Sequence, residues 1–210
     1  SPRSSSIPGK GENLLSRLNA GVGYARRNNI IKSVFVITVI LNLFGFCYAS
    51  ILPVWAVENF QADPVFVGLL ASAEGGGAFF GAITLAFWAR PKYFQRIFLA
   101  GAALFLGGLL IASKLTFYGA ALLALFGAGI GIAAFGAMQS TLVLKEASHE
   151  FRSRVMGVLA ACIGAAPFGV LSIGFIAELT SAGTAIAFSS ALGLGLIIFV
   201  AWRASRPPIG

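Results

Sequence analysis

This sequence is short of acids: seven Asp and Glu in 210 residues, against fifteen Lys and Arg, with charged residues of both signs making up only 10%. So little charge beside 58% hydrophobic residues and a mean hydropathy of +0.88 leaves too little polar surface to solvate a globular domain. There is one histidine, His149, and there are two cysteines, Cys47 and Cys162. These are too few for a metal site, and no cofactor is implied. The cysteines fall at different depths of separate apolar runs, so a bridge between them is not expected. With His149 in a polar loop, a Ser–His pair inside a bundle is missing, and no two intramembrane carboxylates pair. An enzyme is therefore not expected. The cations are scattered over short loops instead of gathered on one surface with aromatics interleaved, which argues against a nucleic-acid partner. The basic start lacks the apolar core and cleavage site of a secretory signal, and the absence of an initial Met suggests a fragment.

What the sequence does have is long apolar runs and 26 glycines, a residue commoner in membrane helices than in soluble ones. Residues 1–29 form a basic lead-in whose first third, with Pro2, Pro8, Gly9 and Gly11, reads as disordered. Further on, Leu14, Leu15, Leu18 and Val22 recur at helical spacing beside Arg17, Arg26 and Arg27. That pattern suits a helix lying on the membrane surface, or equally a solvated linker. Six expected spans follow over residues 30–203: 31–57, 65–88, 94–113, 117–144, 155–179 and 184–202, with a basic tail at 204–210. The fold class is an all-α membrane protein, a compact bundle of six transmembrane helices embedded in a lipid bilayer.

The second span is the most informative. It is apolar throughout except for Glu74. Its 24 residues make a helix of roughly 36 Å, enough to cross about 30 Å of hydrocarbon, and put Glu74 near the midplane. A carboxylate there costs on the order of 3 kcal/mol, so it should face protein or water. At 100° per residue Ala71, Gly77, Ala78 and Gly81 lie beside Glu74, while Val65, Leu69, Phe79, Phe80, Ile83 and Phe87 lie opposite. Small residues let a neighbouring helix approach closely, so that face is expected to pack.

Assigning loops to alternate sides places 14 of the 15 basic residues together and leaves Lys114 alone on the other side. This positive-inside asymmetry predicts an even number of spans, both termini cytoplasmic, and a multi-pass protein of the plasma (inner) membrane.

Between the fourth and fifth spans lies HEFRSRVMG, in which Glu150, Arg152, Arg154, Val155, Met156 and Gly157 form a recognisable set, followed by GAAPFGVLSIG at 164–174. Both stretches resemble the eleventh-helix region of major facilitator superfamily (MFS) transporters, particularly drug-efflux proteins similar to the enterobactin exporter. Gly81 followed by Arg90, Lys92 and Arg96 is a partial echo, without the acid, of the superfamily's basic loop motif. The lead-in resembles the connection between the two halves. The resemblance implies the carboxyl-terminal six-helix half of a twelve-helix fold, a 3+3 inverted repeat, and secondary active transport by alternating access. It also implies a small-molecule substrate and a partner that is either the amino-terminal half or a second copy.

On this reading Glu74 is the candidate for proton coupling or substrate binding, because intramembrane ionisable residues are usually functional; its competitor is a protonated acid kept for packing. Asn42 lies at similar depth, either as a second site residue or as interhelical glue. The loop motif Glu150, Arg152, Arg154 and Gly157 is expected to anchor the cytoplasmic side, at phosphates or helix C-termini. Pro167, Gly81 and Arg90 are gating candidates. The expected function is proton-coupled export of a small amphipathic molecule; the alternative is a non-transporting assembly or receptor subunit built on a transporter half.

Overall fold

Six helical stretches are long and apolar enough to cross a membrane: Asn29–Ser50, Pro64–Trp88, Pro91–Ala112, Tyr118–Glu146, Arg152–Leu179 and Ala182–Arg203. The computed structural model describes residues 21–26 and 28–204, and among them there is no strand. The expected amphipathic stretch through Leu14, Leu15 and Leu18 lies outside the described residues, as do Arg27 and the end of the tail. Residues 21–26 are helical.

The first apolar run is divided. α1 (Asn29–Phe44) starts at Asn28, whose side-chain Oδ1 accepts from the N–H groups of Ile30 and Ile31 at 2.9 and 3.2 Å, meeting two of the donors that a helix start leaves open. It stops at Gly45, where the chain turns into a 3₁₀ stretch, Phe46–Ser50, and then α2 (Leu52–Phe60). A side chain at Gly45 would lie 2.8 Å from the Phe105 ring, which is why the break needs a glycine. α2 ends at Gln61, the one non-glycine with positive φ among the described residues (51°). α3 (Pro64–Trp88) opens with proline at its first turn, where the missing N–H costs nothing. α4 (Phe94–Ala112) and α5 (Tyr118–Glu146) form an antiparallel pair.

The fifth span is divided as well, into α6 (Arg152–Ile163) and α7 (Ala166–Leu179). Pro167 sits in the first turn of α7 and has no N–H to give the carbonyl of Ile163; Phe168 N–H bonds Ala165 O instead, at 3.1 Å. α8 (Ala182–Ala204) completes the bundle.

α5 is the common partner of α3 and α4, and it meets both through glycine. On one flank, a methyl at Gly101 would fall 2.7 Å from the Ala134 methyl, and one at Gly131 2.6 Å from the Gly101 carbonyl oxygen. On the other, Gly77 abuts the backbone of Phe126, Gly129 abuts the backbone of Glu74, and Gly81 lies against Ile130 and Ala133. In lipid, where apolar burial gives helices no reason to associate, such backbone-to-backbone fit is the available cohesion. α1 runs against α5, α6, α7 and α8, and α8 also packs on α4. The core between them includes Ile31, Ile37, Leu41, Phe98, Phe105, Leu106 and Ile173, all essentially inaccessible.

Candidate functional site

Glu74 stands where α3 crosses α5. The two helices exchange contacts around one point, Gly77 facing the carbonyl of Phe126 and Gly129 facing the carbonyl of Glu74, each pair three residues apart. The buried stripe of α3 is Leu70, Gly77 and Gly81, with Glu74 half-buried between them. Ala71, on the small-residue face of the helical wheel, is exposed instead; the true contact face is turned toward Leu70. Opposite it Val65, Leu69, Phe79, Phe80, Ile83 and Phe87 are all exposed, so the bulky face meets lipid or another helix. Three buried side-chain polar atoms lack a hydrogen-bond partner among the described residues: Trp55 Nε1, Ser190 Oγ and Glu74 Oε2. Only the last belongs to an acid.

Asn42 is buried, but its amide Nδ2 donates to the Thr38 carbonyl, one turn back on its own helix, at 2.8 Å. No hydrogen bond among the described residues joins it to Glu74. It lies at a close crossing of its own, since the backbone carbonyls of Asn42 and Leu43 would both be 2.6 Å from a methyl at Gly169 of α7. The break in α1 and the break between α6 and α7 are thus neighbours.

Two residues that the sequence did not mark as a site form the best-defined polar contact in the bundle. Gln139 of α5 donates from Nε2 to Thr38 Oγ1 of α1 at 2.6 Å, and Thr38 Oγ1 donates in turn to the Val34 carbonyl at 2.7 Å. Both side chains are buried. The available signal was Thr38 lying four residues before Asn42, on the same helical face. Interhelical hydrogen bonds of this kind average about 0.6 kcal/mol and reach about 1.7 kcal/mol. A double-mutant cycle with Thr38→Val and Gln139→Leu, read by denaturant unfolding in micelles, is expected to give a coupling of about 1 kcal/mol; additive effects would show that the pair contributes nothing jointly.

At the basic end, Arg152 Nε donates to the Ala147 carbonyl at 3.2 Å, just past the last turn of α5, so this arginine serves a helix C-terminus. Arg154 lies over the Phe151 ring, 5.5 Å from its centre. Glu150 and His149 are exposed, and Gly157 faces open space. Arg90 is exposed where α3 gives way to the 3₁₀ turn Pro91–Tyr93, while Gly81 is buried some two turns earlier. Pro167 is exposed at the helix break. The structure therefore spreads the candidates over an acid midway along the second span, a helix break and the basic loop before the fifth span; it does not gather them into one pocket. Both cysteines are free. No group of three metal-binding side chains occurs among the described residues. A groove of about 310 Å³ opens between α4 and α5, but glycine, alanine, leucine and isoleucine line it and offer a solute no polar side chain.

Comparison with known proteins agrees with this architecture. Residues 3–208 match the family MFS_3, described as transmembrane secretion effector. No curated protein matches the chain. Among solved structures, a variant of the nucleoside transporter NupG superposes with a TM-score of 0.62 at 17% identity, over 97% of this chain and 54% of its own. At that identity the likeness concerns the fold. The chain spans about half the length of the transporter it matches. Six apolar spans without a strand among the described residues, packed as in an MFS transporter and matched to the family over nearly their whole length, make this chain a multi-pass membrane protein of the MFS_3 transmembrane secretion effector family.

Proposed function

We propose that the chain is the carboxyl-terminal half of a proton-coupled exporter in the plasma (inner) membrane. Both of its ends are cytoplasmic, and it moves a small amphipathic molecule by alternating access. The observation that carries this is the break in the fifth span. Residues 163–166 lie about 17 Å along a span of 28 residues, close to mid-membrane, and Ile163 and Gly164 are exposed on the surface of this half. The N–H groups of Gly164, Ala165 and Phe168 stay bonded within the break, but Pro167 leaves the Ile163 carbonyl without its helical donor, and an open carbonyl at that depth is best met by protein or water. That favours a second bundle or an aqueous path over lipid on this face. Glu74 is half-buried on α3 beside an exposed bulky face, and the half-length match to a solved transporter supports reading the chain as one half.

Alternating access needs two bundles moving about a shared site. Residues 1–210 reconstituted alone as monomers are expected to show no saturable, gradient-driven flux, whereas the intact gene product does under an imposed proton gradient. Flux from the monomer would sink the half-transporter reading. Flux from a homodimer would favour a half-size transporter. An intact product that moves none of a panel of amphipathic cations and acids would favour an assembly or receptor subunit.

A further inference from the structure

The end of the lead-in is fastened to the loop that starts the fifth span. The Tyr24 ring stacks on Phe151, with centres 4.8 Å apart and planes 15° from parallel. Its hydroxyl donates to the Glu146 carbonyl at 3.4 Å and accepts from the Ser148 N–H at 3.1 Å, so it bridges the C-terminal end of α5 and the residues that follow. Gly21 is buried so tightly that a methyl there would lie 2.8 Å from both the Arg154 carbonyl oxygen and the Val158 side chain. Asn28, besides capping α1, reaches Glu146 Oε2 from Nδ2 at 3.5 Å.

What these contacts hold is α6, a twelve-residue segment separated from α7 by the break at 163–166. α6 buries only Val155, Val158 and Leu159, chiefly against α1, and leaves Ser153, Gly157, Ala160 and Ala161 exposed. A short helix with a break at one end and one thin apolar face has few other constraints on its swing.

We infer that residues 21–26, with Asn28, are a strap that holds the starting end of α6 through Tyr24 and Gly21, and that any swing of α6 about the break requires the strap to let go. The strap is where the lead-in, which lies outside the membrane spans, controls the inner half of the fifth span. This rests on the transporter reading for its consequence, but not for its existence.

Hydrogen exchange of the intact protein in lipid nanodiscs tests the holding. Tyr24→Ala and Gly21→Leu are expected to speed exchange of amides 148–160 by about tenfold, and Tyr24→Phe, which keeps the stack but loses the bridge, by about threefold. Residues 70–81 and 126–133, at the α3–α5 crossing, should not change. A rise spread evenly over all helices, or none over 148–160, would overturn the strap. Letting go is tested with Tyr24→Cys and Phe151→Cys, in a background with Cys47→Ala and Cys162→Ala, joined by a short reducible thiosulfonate cross-linker. Flux should fall to about a tenth or less and return with dithiothreitol; undiminished flux in the bridged protein overturns the requirement for release. If the reduced protein moves no solute at all, it is the transporter reading that fails, and exchange still decides the strap.

Discussion

Replacing Glu74 with Gln in the intact transporter is expected to leave expression and folding unchanged and to cut proton-driven flux by about two orders of magnitude, the scale on which a positioned acid or base contributes to a proton-transfer step. Gln keeps the shape and the hydrogen-bonding capacity of the side chain but cannot titrate. The packing at this position is made by the Glu74 backbone against Gly129, which the substitution leaves alone. The carboxyl oxygen Oε2 has no hydrogen-bond partner among the described residues, so no bond there is broken by the exchange. Flux measured in vesicles across a range of pH should lose its pH dependence in the variant. Asn42→Ala should be milder, since its amide bonds only the carbonyl of its own helix. A Gln variant with unaltered rate and pH profile would make Glu74 a packing residue.

Gly77→Ala is expected to destabilise the fold by about 3 kcal/mol, the upper part of the range for forcing atoms into a filled core. The new methyl would run into the carbonyl of Phe126. That neighbour is helix backbone, fixed on its other side by α4, and cannot swing aside as a side-chain end could. Gly107→Ala is the matched control: a methyl there meets nothing within 4 Å, and alanine is the better helix former by roughly 0.5–1 kcal/mol. Chemical unfolding in detergent should separate the two glycines by several kcal/mol, in opposite directions. Equal midpoints would mean that the α3–α5 crossing is looser than its geometry.

Much of this was readable from the sequence, for reasons that differ by residue. Span number followed from hydropathy, because the bilayer imposes a length that few other environments do. The exposed side of α3 followed from its helical wheel, which puts Phe79, Phe80 and Phe87 on the side away from Glu74. The exact contact face did not: Leu70 displaces Ala71 because the crossing angle with α5 depends on where Gly129 falls in a different helix. The break in the first run was hidden because Gly45 is one of 26 glycines, and only the nearby Phe105 distinguishes it. The break in the fifth was announced by Pro167. The burial of Gln139 against Thr38 arises from two helices more than a hundred residues apart in sequence, a pairing that no local pattern encodes. The same holds for Tyr24, whose partners Phe151 and Glu146 lie more than a hundred residues away.

The central place of α5 has a consequence for how the chain is made. α3 and α4 are synthesised first, yet the glycine faces of both are cut to fit a helix that emerges after them. Until residue 146 has left the ribosome and entered the bilayer, Gly77, Gly81 and Gly101 lack the helix they are shaped to meet, and the Glu74 backbone lacks Gly129. Helices insert one by one but associate only when a complementary backbone arrives. The chain therefore passes through a stage with the acid already in the membrane and its shelter still in the tunnel.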